Sequence, residues 1–219
     1  MPQKQAFSIP LSLDPVHGAF CEPLACCLHG IDIAGIKAGS SVVVLGGGVI
    51  GLLTVQLALA GATTVILSTR QASKRRLAEE IGATATVDPS SSDIIEDIAG
   101  TNGLVPGGVD VVIECAGVPD TMEQMTRLAK AGGTVVILGV MPQGAKVELE
   151  PFDILFRELR VLGSFINPFV HRRAADLVAS GAIELDKLIS RRISLEEAPE
   201  VIRHAAAPGE VKIMVIPGQ

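Results

Sequence analysis

The stretch "VVVLGGGVIGLLTVQLALAGATTVIL", Val42 to Leu67, contains no charged residue. About 20 apolar residues are enough for a helix to cross a bilayer, so a membrane span is the first interpretation to test. Glycines interrupt the run repeatedly, and the chain has no Trp or Tyr to anchor a span at the membrane interface. The pattern instead predicts a strand at Val42–Leu45, a helix at Leu52–Ala60 and a second strand at Thr63–Leu67.

The rest of the chain repeats this alternation of strands and helices. Hydrophobic residues make up 48% of the 219 residues and aromatic residues only 3%, so the core is built from aliphatic side chains. Helices are predicted at Gln71–Gly82 and Asp120–Gly133, and strands at Val109–Gly117 and Thr134–Val140. Continuous aliphatic strands joined by helices predict an α/β fold, a Rossmann-type doubly wound parallel sheet.

Composition excludes several classes of protein. The net charge of −6 gives no general nucleic-acid footprint. The four cysteines have no CxxC spacing, and the first ten residues contain no apolar signal-peptide core. We therefore expect reduced thiols, a cytoplasmic location, and neither nucleic-acid nor membrane partners.

The glycine turn matches G-x-G-x-x-G directly after a strand and at the start of a helix. Gly46 permits the tight turn, Gly48 leaves room for a pyrophosphate, and Gly51 allows close packing of helix and strand. With Val49 and Ile50, these glycines form a helix N-terminus that offers N–H groups to phosphates. The alternative is a tight strand–helix turn without a ligand.

The end of the second strand indicates which cofactor is bound. An NAD enzyme is expected to have Asp or Glu there, whereas this chain has Ser68, Thr69 and Arg70, then a basic run that contains Lys74. The nearest acid downstream is Glu79. Hydroxyls and a guanidinium suit a 2′-phosphate, so the sequence favours NADP(H), with NAD(H) still possible. The alternative is a solvated basic helix face.

The chain resembles the medium-chain dehydrogenase/reductase superfamily, in its zinc-dependent alcohol, sorbitol and threonine dehydrogenase branch. The resemblance extends from "FCEPLACCLHG" to "GEVKIMVIPG", through "LGGGVIG", "DVVIECAG", "AGGTVVILGV" and "ELRVLGSF". It implies further cofactor-binding residues, each of which can also be interpreted as part of a strand-end turn. They are Cys115, Ala116 and Gly117; Leu138, Gly139 and Val140; and Ser164 and Phe165. Cys115 itself is expected to be a buried, small apolar residue.

The same resemblance implies a metal role for Glu22, because an acid at this "EP" position lies at the catalytic zinc. The alternative is a glutamate favoured by the helix dipole. The family's preceding GroES-like domain supplies the other zinc ligands, and its Gly-His-Glu motif does not occur here. We therefore expect Zn²⁺ only in a full-length enzyme. The predicted division is a linker remnant at 1–20, a dinucleotide-binding domain at 21–190 and a segment at 191–219 that returns to the catalytic domain.

These observations predict the cofactor-binding part of an NADP(H)-preferring zinc-dependent alcohol or polyol dehydrogenase. It would transfer hydride between the cofactor and a secondary alcohol or carbonyl, and would be inactive alone. One alternative is a stand-alone NAD(P)-binding, redox-sensing module, and another is a zinc-free relative of quinone reductase. We also expect exposed apolar surface in the last segment, about Leu195 to Gly218. A homodimer or homotetramer is expected, joined through an edge strand that includes Lys146–Leu149.

Overall fold

A six-stranded, wholly parallel sheet forms the centre of the protein, in the order β3-β2-β1-β4-β5-β6. The structure is a computed structural model that describes residues 6–204 and 206–218. This strand order is that of the Rossmann fold, so the predicted doubly wound α/β fold is confirmed. The strands are β1 (Ser40–Leu45), β2 (Ala62–Ser68), β3 (Ala85–Val87), β4 (Val109–Glu114), β5 (Ala129–Ile137) and β6 (Arg160–Gly163).

Helices cover both faces of the sheet. Alternate residues of a strand point to opposite faces, and in β1 Val42 and Val44 join one buried cluster while Val43 and Leu45 join the other. Burial on both faces explains why the strands are continuously aliphatic. The helices are α1 (Pro15–Gly18), α2 (Cys21–Ala34), α3 (Val49–Leu59), α4 (Ala72–Glu80), α5 (Ile94–Ala99), α6 (Pro119–Leu128), α7 (Pro151–Phe156) and α8 (His171–Ser180).

The uncharged stretch Val42–Leu67 lies in β1, α3 and β2, as predicted. Helix α3 has 11 residues, and Leu52, Leu53 and Val55 are completely buried. A helix buried on nearly all sides needs no polar face, which explains the absence of charge. Throughout the described ranges, no helix combines the length and the apolar character that a bilayer crossing requires.

The predicted helix Asp120–Gly133 is wrong at its C-terminal end, because the chain enters β5 at Ala129. The guanidinium of Arg157 donates hydrogen bonds to the carbonyl oxygens of Thr126 (2.8 Å) and Ala129 (2.6 Å). These bonds satisfy carbonyl groups that the end of a helix leaves free. A side chain distant in sequence therefore stabilises this end of the helix.

The predicted edge strand at Lys146–Leu149 is also wrong, because this segment is irregular and β6 is the strand at that edge. Val147 and Leu149 pack against the buried cluster on one face of the sheet, while Lys146 and Glu148 are exposed. The alternation of apolar and polar residues thus reflects side-chain packing rather than strand pairing.

The C-terminal part forms a separate two-stranded parallel sheet from β7 (Ile189–Ile193) and β8 (Lys212–Val215), with α9 (Ala198–Arg203) between the strands. A 3₁₀ turn at Asp186–Leu188 leads into β7. The apolar side chains of Leu195, Ile202 and Val215 are exposed, as expected for this segment.

Candidate dinucleotide site

The predicted site residues follow strands that end together at one edge of the sheet. Leu45, the last residue of β1, is in register with Ser68 of β2 and with Glu114 of β4. Glu114 is in register with Ile137 of β5, which in turn pairs with Gly163 of β6. In open α/β sheets, ligands bind outside this carboxyl edge, where the strand order reverses. Here the reversal lies between β1 and β4.

At Gly46 and Gly51, in the glycine turn after β1, backbone atoms leave no room for a side chain. Gly46 has φ +111°, and a Cβ there would lie 2.9 Å from the backbone N of Ala116. A Cβ on Gly51 would lie 1.8 Å from the carbonyl oxygen of Gly46. The two glycines therefore let α3 begin directly against the end of β1.

Gly48 differs from these two glycines because the space beside it is open. A Cβ on Gly48 would meet no protein atom within 4 Å. Gly48 is the N-cap of α3, and no side chain caps this helix. The N–H groups of its first turn, from Val49 and Ile50 onward, therefore have no acceptor within the helix. Free donors at the positive end of the helix dipole, next to open space, fit a pyrophosphate group.

The end of β2 lies beside this turn and is basic. The carbonyl oxygen of Ser68 accepts a hydrogen bond from the N–H of Gly46 (2.9 Å), and a Cβ on Gly47 would lie 2.8 Å from Oγ1 of Thr69. Arg70 is exposed, and burial lowers the pKa of the half-buried Lys74. Neither cation forms an ion pair within the described part of the chain, which leaves both positive charges uncompensated.

An acid does lie near the end of β2, although the sequence predicted none closer than Glu79. Asp88 directly follows β3, and the N–H of Thr69 donates to the carbonyl oxygen of Val87 (3.1 Å). Arg75 forms an ion pair with Asp88 at 2.9 Å and donates to the carbonyl oxygen of Thr69 at 2.7 Å. In the sequence, Asp88 is the acid that follows "TATV". Its position near the end of β2 can be recognised only when β3 is known to pair with β2.

The turns after β4 and β5 are held together by Glu114, which the sequence analysis missed. Oε1 of this buried carboxylate accepts hydrogen bonds from the N–H groups of Ala116 and Gly117, both at 2.8 Å. Its backbone carbonyl oxygen accepts from Leu138 (2.9 Å) and Gly139 (2.8 Å). In the sequence, Glu114 could have been singled out as an acid at the end of a mostly aliphatic strand.

The side chains along these turns differ in exposure. Cys115 is partly rather than fully buried and packs against the core, and burial raises the pKa of its thiol well above the usual value. Val140 and Phe165 are 87% and 79% exposed. Ser164 connects the last turn to β5, because its N–H donates to the carbonyl oxygen of Ile137 (2.8 Å). The edge thus presents apolar side chains that a planar ring could cover.

Glu22 lies in the first turn of α2, within a small polar cluster. Its Oε1 accepts hydrogen bonds from Sγ of Cys26 and Nδ2 of Asn167, both at 3.3 Å. Within residues 6–204 and 206–218, no three His, Cys, Asp or Glu side chains are grouped so that they could hold a metal ion. Because a catalytic zinc takes three protein ligands, the described residues do not fit a zinc site by themselves.

Known proteins of similar sequence are dehydrogenases. The sequence model of a family described as zinc-binding dehydrogenase matches residues 49–180. (R,R)-butanediol dehydrogenase of Bacillus subtilis is 34% identical over 218 residues, which cover 96% of this chain and 60% of that protein. Sorbitol dehydrogenase 1 of Saccharomyces cerevisiae is 32% identical over 214 residues, covering 95% of this chain and 59% of that protein. The chain thus spans about 60% of these relatives' length.

Solved structures agree with these matches. A protein from Sinorhizobium meliloti 1021, described as a zinc-binding dehydrogenase and solved bound to NADP, is 82% identical with a TM-score of 0.97. The match covers 99% of this chain and 64% of that one. 2R,3R-butanediol dehydrogenase from Bacillus subtilis is 32% identical with a TM-score of 0.83, over 97% of this chain and 60% of that one. The chain therefore belongs to the zinc-binding dehydrogenases of the medium-chain dehydrogenase/reductase superfamily.

Proposed function

We propose that this chain is the cofactor-binding part of an NADP(H)-preferring, zinc-dependent alcohol or polyol dehydrogenase. The observation that carries the proposal is the pair of cations, Arg70 and Lys74, which form no ion pair among the described residues and follow a strand whose end is hydrogen-bonded to the glycine turn. The NADP in the Sinorhizobium meliloti structure supports the cofactor. The butanediol and sorbitol dehydrogenases among the relatives support a small alcohol or carbonyl substrate.

Each part of the edge has a proposed task. The N-terminus of α3 binds the pyrophosphate above Gly48, and the end of β2, with Ser68 and Thr69, binds the ribose and its 2′-phosphate through Arg70 and Lys74. The turns 115–117 and 138–140 support the rest of the cofactor. Ser164 and Phe165 cover the nicotinamide and exclude water. When bound, the nicotinamide supplies or accepts the hydride.

The zinc ion belongs, in this proposal, to the full-length protein. Glu22 contributes one carboxylate, held by Cys26 and Asn167, and the remaining ligands come from sequence outside residues 21–190, the dinucleotide-binding domain. Segments 1–20 and 191–219 connect this domain to the catalytic domain. The chain alone binds cofactor without turnover, because one carboxylate cannot hold a catalytic zinc ion.

The proposed assembly is a cytoplasmic homodimer or homotetramer. Among the described residues, no strand pairs with the outer side of β6, and an unpaired edge is a natural site of strand addition. In α7, the rings of Phe152 and Phe156 stack at 5.7 Å between centroids and are 67% and 77% exposed. We assign the subunit contact to this side of the sheet, in place of Lys146–Leu149.

Calorimetric titration with NADPH and then NADH tests the proposed cofactor. We expect NADPH to bind at least about tenfold more tightly, a difference of about 1.4 kcal/mol. Equal affinities would contradict the role of Arg70, and no binding of either cofactor would contradict the role of the glycine turn. Oxidation of secondary alcohols by a full-length protein, lost when zinc is removed, would separate a dehydrogenase from a redox-sensing module.

A further inference from the structure

Arg75 and Asp88 form an ion pair next to the proposed 2′-phosphate site. Asp88 follows β3 immediately, so its carboxylate lies at the carboxyl edge beside Thr69. The guanidinium of Arg75 lies 2.9 Å from Oδ2 of Asp88, and both side chains are mostly buried, at 19% and 23% exposed. The pair is therefore partly shielded from solvent, and the hydrogen bond from Arg75 to the carbonyl oxygen of Thr69 holds it at the end of β2.

Asp88 places a negative charge close to the end of β2, where the 2′-phosphate is proposed to bind. Hydrogen bonds from Ser90, together with the Arg75 guanidinium, lower the pKa of the Asp88 carboxyl, so it is ionised at neutral pH. An acid at the end of β2 would accept hydrogen bonds from ribose hydroxyls and repel a 2′-phosphate. In this chain such an acid stands one strand away, and Arg75 neutralises it.

We propose that Arg75 is a specificity-determining residue that acts through Asp88: by pairing with that carboxylate, it prevents repulsion of the 2′-phosphate. Arg70 and Lys74 then attract the phosphate without competition. The inference rests on the proposed preference for NADP(H). Arg75 positions charge and does not itself touch the cofactor. Removal of Arg75 exposes the carboxylate and reduces NADPH affinity, while NADH affinity changes little.

Arg75 also donates to the carbonyl oxygen of Thr69 (2.7 Å), so loss of this support has to be separated from loss of charge screening. A double substitution does this. Arg75→Gln removes the guanidinium, Asp88→Asn removes the acid, and the double variant removes both charges while Thr69 stays unsupported. Arg76→Gln is the matched control, because Arg76 is exposed on the same helix.

The test is titration of the 219-residue chain and these variants with NADPH and NADH. We expect Arg75→Gln to weaken NADPH at least about tenfold relative to NADH, and the double variant to recover to within about threefold of wild type. The NADPH deficit of Arg75→Gln should also narrow as ionic strength rises, because salt screens repulsion. Arg76→Gln should keep the wild-type ratio.

Three results would overturn the inference: an unchanged cofactor ratio in Arg75→Gln, no recovery in the double variant, or a deficit independent of salt. If Arg75→Gln does not fold, the comparison of Asp88→Asn with the double variant decides. Equal NADPH affinities of Asp88→Asn and the double variant support charge screening by Arg75. A lower NADPH affinity in the double variant contradicts it. A wild-type chain without NADPH preference would refute the proposed function itself, whereas failure of recovery alone refutes only the role of Arg75.

Discussion

Two glycines of the same turn should respond to the same substitution in opposite ways. A Cβ at Gly48 would meet no protein atom within 4 Å, whereas a Cβ at Gly51 would lie 1.8 Å from the carbonyl oxygen of Gly46. The open space at Gly48 is the space that we assign to the pyrophosphate. Gly48→Ala should therefore weaken cofactor binding in a folded protein, and Gly51→Ala should destabilise the protein itself.

The magnitudes follow from these contacts. Gly48 has φ −76°, which alanine adopts without strain, so only the poorer N-cap matters, at about 0.5–1 kcal/mol of unfolding free energy. At Gly51, a carbon–oxygen contact of 1.8 Å has to open to roughly 3.3 Å. That requires α3 to move away from β1, and overpacking of this kind costs about 3 kcal/mol or more.

The assay combines urea unfolding, followed by far-ultraviolet circular dichroism, with titration by NADPH. We expect Gly48→Ala to unfold near the wild-type urea concentration and to bind NADPH at least about tenfold more weakly. Gly51→Ala should unfold at a much lower urea concentration. Wild-type NADPH affinity in Gly48→Ala would refute the assigned pyrophosphate position, and equal stability of the two variants would refute the packing argument.

Three further results are expected. Arg70→Ala should lower the NADPH preference at least about tenfold without a change in stability, since Arg70 is exposed; an unchanged ratio would exclude it from the 2′-phosphate site. Burial raises the pKa of the Asp110 carboxyl, but hydrogen bonds from Lys130 and Ser41 outweigh the effect of burial and hold the pKa at about 2. The pKa in the unfolded chain is about 3.9, so the ionised carboxylate stabilises the fold above that pH. Asp110→Asn should therefore cost about 1 kcal/mol at neutral pH after solvent screening, and the cost should vanish as the pH falls through 4 towards 2; a pH-independent difference in urea unfolding would contradict this. Phe156→Glu should shift the chain towards monomer in sedimentation velocity, and a wild-type monomer at micromolar concentration would argue against the assigned contact.

Local patterns were sufficient to predict the centre of the fold. The glycines that follow Val42–Leu45 end a strand and start a helix through backbone constraints that act within a few residues. The end of α6 was not predictable in this way, because Arg157, which binds the carbonyl oxygens there, comes from a later helix–strand connection. Lys146–Leu149 shows the same limit, since alternation gives burial but not a pairing partner.

In the candidate site too, local sequence was enough to predict some residues and not others. The residues that directly follow β1 and β2 could be predicted because motif and strand end adjoin in sequence. Asp88, Glu114 and Asn167 could not, because each contacts residues of another element. Asp88 pairs with Arg75 of α4, Glu114 binds the turn after β5, and Asn167 binds Glu22. Their roles depend on strand order and helix packing, which only the folded chain provides.

The most direct test of the proposed cofactor site is phosphorus NMR of NADP⁺ mixed with this chain, because the pyrophosphate and the 2′-phosphate give separate signals. We predict that both signals shift on binding. We also predict that the pKa of the 2′-phosphate, about 6 when free, falls beside Arg70 and Lys74, and that Arg70→Ala reverses this fall. A shifted pyrophosphate with an unperturbed 2′-phosphate would contradict the NADP(H) preference, and two unshifted signals at saturating chain would contradict the site as a whole.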